Sequence, residues 1–415
     1  MQRYRILIVG GGPAGMMAAI RAAQLGDGIC LLEKNNCLGK KLLISGKGRC
    51  NLTNVGDIDN FLNNFSKSGE FLRDAFKALP NTALMDFFEE NGLRLKTERG
   101  GRVFPDNDKS ASVLQVLKSR LQNKNVEIIY SSPVQSIICK DKIWQVILRD
   151  GRVFVARKVI LATGGASYAA TGSDGFGFKL AASLGHKVVP LRPGLVPLEV
   201  KEDFMYSLSG LSLKNVAVSF NHRRNKWQSD IGEMLFTHFG VSGPLILEAS
   251  SKIIDWFKDK EPVALSIDFK PGLSGQQLEE RLLRDFKDMG SKTFKNILKE
   301  LLPTKLIDNF VMLSNIPADK KAHQVTQAER MVIGRLLKDF RLTIIQSRPL
   351  DEAIVTRGGV STKEINPKTM ESRINPGLYF CGEIIDVDAA TGGYNMQAAF
   401  STGWLAGENA AKSLN

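Results

Sequence analysis

No apolar run in this 415-residue chain approaches the roughly 18–20 residues that a membrane-spanning helix needs, so no membrane partner is expected. Cysteine is scarce and unpatterned: Cys30, Cys37, Cys50, Cys139 and Cys381 are odd in number and form no Cys-x-x-Cys pair. That argues against a disulfide-exchange centre and against a zinc site of the usual spacing, so no metal is expected. No leader is expected either, because Met1–Arg5 runs straight into Ile6-Leu7-Ile8-Val9 and a glycine cluster. A signal peptide would need a longer apolar run and a small-residue cleavage site. The expectation is a cytoplasmic protein with free thiols. There is no internal repeat and no low-complexity tract. Acidic residues are outnumbered, with 56 Lys+Arg against 43 Asp+Glu and a net charge of +13. A small neutral metabolite does not require that excess, which favours a polyanionic partner, nucleic acid first. Residues 191–345 hold 23 basic against 19 acidic residues, so the surplus is spread along the chain and any patch must be assembled by folding.

What is present begins at residue 5. A strand at Arg5–Val9, a glycine turn, a helix over about Ala14–Leu25 and a strand at Gly28–Glu33 make a β-turn-α-β unit. Helical periodicity follows at 69–92 and 110–123. Strands are predicted at Glu127–Tyr130, Val134–Cys139, Trp144–Leu148, Arg152–Ala156 and Lys158–Ala162. Prolines at 190–197 mark a linker. Beyond it, Ala217–Phe220 and Val263–Phe269 read as strands, and 276–312 and 326–340 as helices. Strands return over 343–380, and Met396–Ala411 is a helix rich in small residues. Pro317 and Lys320-Lys321 suggest an exposed loop over 314–324.

The strongest chemical signal is Gly10-Gly11-Gly12-Pro13-Ala14-Gly15. Gly10 permits the tight turn, Gly12 lets the backbone approach a pyrophosphate at the helix N-terminus, and Gly15 lets helix and strand pack. Glu33, ending the next strand, can accept hydrogen bonds from an adenosine ribose. This pattern in register with its strand and helix predicts dinucleotide binding. Downstream, Leu161-Ala162-Thr163-Gly164-Gly165 ends a strand as Ala-Thr-Gly does in two-dinucleotide-binding-type flavoproteins. Gly377–Glu383 resembles the strand that brings Gly382 and a carboxylate, Glu383, to the ribityl and pyrophosphate; aspartate is commoner at that position. Gly392-Gly393-Tyr394-Asn395 precedes the last helix, whose N–H groups could face a flavin pyrimidine ring. These pieces together favour FAD. The expected fold is α/β: a Rossmann-type FAD-binding domain of residues 1–190 and 346–415, with an inserted domain at 191–345 that is β-rich over 191–275 and helical over 276–345.

Gly39-Lys40-Lys41-Leu42-Leu43-Ile44-Ser45-Gly46-Lys47-Gly48-Arg49-Cys50-Asn51-Leu52-Thr53-Asn54 resembles the fingerprint of the bacterial BaiN-like or YhiN-like NAD(P)/FAD-dependent oxidoreductases. Gly101–Pro105, Thr171–Gly175, Leu235–Pro244, Gly358–Val360 and Asn366–Ser372 resemble further pieces of that pattern, in order along essentially the whole chain. Two positions depart from it: Lys47, where glycine is frequent, and Ala389-Ala390 before Thr391. Ser45, Gly46, Gly48, Asn51 and Thr53 suit close, neutral contact with a flavin. Lys40, Lys41, Lys47 and Arg49 add positive charge beside phosphates or a reduced flavin, or else form a solvated basic loop. Lys34 and Val134 complete the expected cofactor-binding set.

The resemblance implies three activities: reduction of a carbon–carbon double bond in steroid-like acids, oxidation of small amines, and reduction of a ribosomal RNA uridine to dihydrouridine. No second G-x-G-x-x-G stands in a strand-turn-helix context, so NAD(P)H would visit the flavin transiently. The basic balance favours RNA. The alternatives are a small-molecule reductase or oxidase and a non-enzymatic FAD-containing RNA-binding protein. Cys50 is either a catalytic acid or a packed thiol, and His238 a proton donor or substrate contact, or a structural histidine. Tyr394 and Asn395 are expected to contact the flavin through backbone and side chain. The segment His222-Arg223-Arg224-Asn225-Lys226-Trp227 is either an RNA contact, combining Arg223, Arg224 and Lys226 with a stacking ring, or a solvated hairpin. Which uridine, which nicotinamide and which oligomeric state stay open.

Overall fold

The structure, a computed structural model, describes residues 2–259 and 261–414. Ile6–Val9 are all buried, so the strand Gln2–Val9 ends hidden on both faces, as the middle of a parallel sheet requires. It pairs in parallel with Ile29–Leu32 on one side and Val153–Leu161 on the other. Glu127–Ile129 and Leu378–Phe380 extend the parallel sheet outward from these two neighbours. Val153–Leu161 is one strand where the sequence predicts two. Its first half pairs antiparallel with Ile143–Leu148, which pairs with Val134–Lys140, and its second half carries Leu378–Phe380. The exposed Arg157 therefore marks where the strand changes partner, not where it breaks.

The helix Pro13–Leu25 packs against the C-terminal helix Tyr394–Lys412. A Cβ at Gly403 would lie 2.3 Å from Ala14 O, and one at Gly407 2.2 Å from Ala18 O. Small residues four apart on both helices thus let the two backbones touch. Helical periodicity over 69–92 resolves into Arg73–Ala78 and Asn81–Glu90, with Pro80 between them as the N-cap of the second. A small antiparallel sheet that the sequence does not predict joins Thr53–Asn54, Arg102–Pro105 and Leu95–Glu98.

The chain divides into two compact units, Met1–Gly194 with Leu350–Asn415, and Leu195–Pro349. Residues 191–194 stay with the first unit because Val188–Gly194 is a strand paired antiparallel with Val355–Val360. In the second unit, Ser212–His222, Gly232–Phe236, Gly240–Ser242, Leu198–Val200, Phe340–Ser347 and Val263–Asp268 pair in that order. The last pairs back onto the first, closing the sheet and leaving few edges to protect. The helical stretch predicted over 276–312 is three helices, Gly275–Asp288, Phe294–Leu301 and Thr304–Ser314, with Pro303 between the last two. Ser274 and Thr326 open the helices Gly275–Asp288 and Gln327–Lys338 with reciprocal capping boxes. The loop at 314–324 exposes Asn315, Pro317, Asp319 and Lys321, as expected, and is also tied down. Ile316 and Ala322 are buried, Lys320 pairs with Glu329 at 2.6 Å, and Phe294 N–H donates to Lys320 O. Among the described residues, no helix is long and apolar enough to cross a membrane.

Candidate cofactor site

Parallel strands deliver their C-terminal ends to one edge of a sheet, where loops collect and ligands bind. In the first unit this edge gathers Gly10–Gly15 after Val9, Ala162–Gly165 after Leu161 and Cys381–Glu383 after Phe380. Gly10 has φ +111°, and a Cβ there would meet Ala162 O at 2.4 Å; one at Gly15 would meet Gly10 O at 1.9 Å. These two glycines let turn, helix and neighbouring strand close up. A Cβ at Gly12 would meet nothing within 4 Å. Gly12 is the N-cap of Pro13–Leu25, and no side chain caps that helix. An uncapped helix N-terminus facing open space fits a pyrophosphate.

Glu33 is buried, 7% exposed. Its carboxylate accepts from Gly11 N–H at 2.7 Å and from the backbone and side-chain N–H groups of Asn35 at 2.8 and 2.7 Å. A carboxylate has about four lone-pair sites, so capacity for a ribose hydroxyl remains. Lys40 Nζ donates to Asn35 Oδ1 at 3.1 Å, closing this corner. Val134 is buried at the start of its strand.

The loop 39–54 is wired to the start of the C-terminal helix. With its amide oriented by its neighbours, Asn51 donates to Thr53 O and Val103 O and accepts from Gly393 N–H at 3.0 Å. Thr53 Oγ1 donates to Gln397 Oε1 at 2.6 Å, and Asn54 Nδ2 to Gly392 O at 3.1 Å. A Cβ at Gly393 would lie 2.3 Å from Thr53 O, so only glycine admits this approach. Gly393 is the N-cap of Tyr394–Lys412 and again has no side-chain cap. Two uncapped helix N-termini therefore belong to the same set of loops.

Several side chains do something other than the sequence predicts. Glu383, expected at a ribityl chain, is committed to the protein: Oε2 accepts from Lys41 Nζ at 2.6 Å, and Oε1 from Thr356 N–H at 2.8 Å and Ser167 Oγ at 3.3 Å. Lys41 also donates to Ser167 Oγ at 2.7 Å. Ser167 and Thr356, both buried, escape sequence reasoning because nothing in their spacing relates them to residues 41 and 383. Two of the fingerprint's four positive charges are ion-paired, Lys41 with Glu383 and Arg49 with Glu98 and with Asp108, and outside it Lys34 pairs with Asp174 at 2.8 Å. Tyr394 OH donates to Asn60 Oδ1 at 3.0 Å and Asn395 holds Ala389 through both its amide atoms, which leaves their backbones for a ligand. Gly46 and Gly48 adopt positive φ beside Ser45, which donates to Leu42 O. Gly164 and Gly382 are likewise at positive φ, while Gly165 packs against Thr356 and Glu383 and Thr163 against Gly177.

Neither catalytic candidate gains from the structure. Cys50 has no exposed surface, and burial pushes its thiol up to about 12. Full burial favours the packed-thiol alternative for Cys50 over the proton donor. His238 is exposed at the turn between Gly232–Phe236 and Gly240–Ser242 of the second unit, its ring edge-on to Phe239. The 222–227 segment is a two-residue hairpin. Arg223 pairs with Glu261 at 2.7 Å, and the half-buried Trp227 ring is tilted against Phe220 at 6.1 Å; Arg224 and Lys226 are exposed.

A family model described as HI0933-like protein Rossmann domain matches residues 4–409. The chain is 36% identical over 411 residues to the 3-dehydro-bile acid delta(4,6)-reductase of Clostridium scindens, covering 98% of this chain and 99% of that one. It is 31% identical over 422 residues to the ribosomal RNA dihydrouridine synthase of Escherichia coli, covering 100% of each. Among solved structures, the 3-ketosteroid delta1-dehydrogenase of Sterolibacterium denitrificans matches with a TM-score of 0.53 at 14% identity over 100% of both chains, a likeness of fold alone.

Proposed function

Because the chain belongs to the HI0933-like Rossmann family and is a flavin-dependent oxidoreductase, we propose that it holds FAD and reduces a carbon–carbon double bond conjugated to a carbonyl, in a uridine of large-subunit ribosomal RNA, with NAD(P)H as the transient electron donor. The observation that carries the cofactor reading is the pair of uncapped helix N-termini at Gly12 and Gly393, gathered with Glu33 among the loops of the first unit. The Gly12 turn takes the pyrophosphate, Glu33 the adenosine ribose, and the Gly393 end favours negative charge on the ring. FMN, lacking adenosine, would leave the Glu33 corner unused. FAD bound in this way supplies hydride transfer to an electron-poor carbon. Lys41, Glu383, Ser167 and Thr356 fix four of the surrounding segments against each other, so the site is preorganised around the ligand.

Saturating a carbonyl-conjugated double bond places hydride on the β carbon and a proton on the α carbon, C6 and C5 in uridine. The two full-length relatives are named for reductions of this kind on a bile acid and on RNA. The net charge of +13 favours the polyanionic substrate. A steroid-like enone is the second reading, favoured by the 36% identity to the bile-acid reductase. Mass analysis of ribosomal RNA from a strain lacking the gene decides between them. Loss of one dihydrouridine, restored by complementation, is expected. An unchanged dihydrouridine content would overturn the RNA reading and leave the small enone.

A further inference from the structure

An enzyme that reduces a base in RNA must hold phosphates close to its cofactor, and in the 222–227 hairpin one of the cations, Arg223, is already paired with Glu261. The first unit contains a second basic hairpin, built from Leu95–Glu98 and Arg102–Pro105. Its inner strand is bound to the fingerprint loop: Leu52 N–H donates to Val103 O and Val55 N–H to Gly101 O, both at 2.9 Å. Thr53 and Asn54 pair with Val103 and Arg102. The same loop's Asn51 and Asn54 are hydrogen-bonded to Gly393 and Gly392. Arg102 is therefore one strand pairing and one hydrogen bond away from the glycine turn that opens the C-terminal helix.

Alternation along the hairpin sorts its side chains. Val103 and Pro105 share one face, and Lys96, Glu98, Arg102 and the buried Phe104 share the other. Arg49 lies there too, its guanidinium 4.1 Å from the centre of the Phe104 ring. Three cations, Arg49, Lys96 and Arg102, share two carboxylates, Glu98 and Asp108. Around them Lys47, Arg94 and Arg99 are exposed and form no ion pair with another described residue, against the exposed Asp106. Arg94 and Arg99 bracket a four-residue strand, so they stand roughly 16 Å apart at the usual rise per residue.

We infer that the Arg94–Arg102 hairpin is the phosphate-contacting surface that holds single-stranded RNA beside the cofactor loops. This rests on the uridine reading of the same site. Phosphate contacts made by Arg94 and Arg99 add affinity without sequence preference and make binding salt-dependent.

The test uses the full-length FAD-loaded protein and a fluorescein-labelled single-stranded RNA of mixed sequence. Arg94→Glu/Arg99→Glu should weaken binding about tenfold or more and flatten the plot of log affinity against log salt by about 0.7 for each phosphate no longer neutralised. Flavin absorbance, thermal midpoint and flavin reduction by NAD(P)H should be unchanged, since both side chains are exposed and unpaired. The milder Arg94→Ala/Arg99→Ala should move affinity and slope in the same direction. Unaltered affinity and slope in both double variants, with a loss in Arg224→Glu/Lys226→Glu, would overturn the inference in favour of the 222–227 hairpin. The two levels fail separately. If the deletion strain loses a dihydrouridine and the Arg94→Glu/Arg99→Glu gene restores it fully, this surface is wrong and the uridine reading stands. If the deletion strain loses none, the uridine reading itself is wrong.

Discussion

A methyl group at Gly15 would sit 1.9 Å from Gly10 O, and one at Gly10 would sit 2.4 Å from Ala162 O, whereas one at Gly12 would meet nothing within 4 Å. The three glycines of one motif thus separate into two that the polypeptide needs and one that only a ligand needs. Gly15→Ala should cost soluble, folded protein, because two backbones must move apart and interior atoms give little. Gly12→Val should leave the circular dichroism and the thermal unfolding of the apoprotein close to wild type while yielding a colourless protein. An undiminished flavin spectrum in Gly12→Val would remove the pyrophosphate reading of this turn. The motif was legible because strand, turn, helix and acidic residue lie within about thirty residues. The Lys41–Glu383–Ser167–Thr356 cluster was not, because its members come from four distant segments and only the folded sheet brings them together.

At the scale of elements, what the sequence showed clearly were long apolar periods, and what it hid were short pairings. Gln2–Val9 and Pro13–Leu25 follow from periodicity, whereas Thr53–Asn54 is a two-residue strand with no pattern to detect. A second hidden element is the clasp that secures residues 362–375. His186 Nε2 lies 2.9 Å from Ser372 Oγ and Nδ1 3.2 Å from Glu364 Oε2, and its ring stands edge-on to Phe380 at 4.7 Å. Ser372 Oγ accepts from Ile374 and Asn375 N–H, so its own hydrogen goes to His186. This Ser-His-Glu alignment resembles a hydrolytic triad, but His186 and Ser372 are buried, and it serves as a structural lock. Burial holds the imidazole below its ordinary value, against the opposing pull of Glu364. The unfolded chain then binds this proton more readily than the native protein, so His186 contributes stability above its unfolded pKa of about 6.5 that is lost as pH falls below it. The thermal midpoint should drop between about pH 7 and pH 5, and His186→Asn should flatten that drop while lowering stability at pH 7. Asp386, raised by burial and by Asp388, acts in the opposite sense at lower pH and remains in both proteins. An identical pH slope in His186→Asn would assign the acid sensitivity elsewhere.

Over the whole molecule, the chain leaves the first unit once and returns once, and the second unit closes on itself where it does so. Leu198 pairs with Ser347, and Arg348 N–H donates to Pro197 O at 2.9 Å, so the two ends of residues 195–349 lie side by side. Its buried core draws only on residues 198–344: Phe220, Phe236, Phe294, Phe310 and Phe340 are all fully buried within it. Six strands close into one sheet, and both capping boxes of the described helices lie here. At 155 residues the segment is of ordinary domain size, long enough to bury most of its apolar surface unaided. The prolines at 190–197 made an insertion visible in the sequence, but its ends could be placed only by the strand pairings on either side of Gly194 and Pro349. Residues 195–349 expressed alone should therefore be soluble, unfold cooperatively and carry no flavin, since every glycine turn of the candidate cofactor site lies in the other unit. Dispersed amide resonances with a single sharp thermal transition would meet this expectation. A fragment with helical and strand content but collapsed resonances would show that its core is completed by the rest of the chain, and that the two units fold as one.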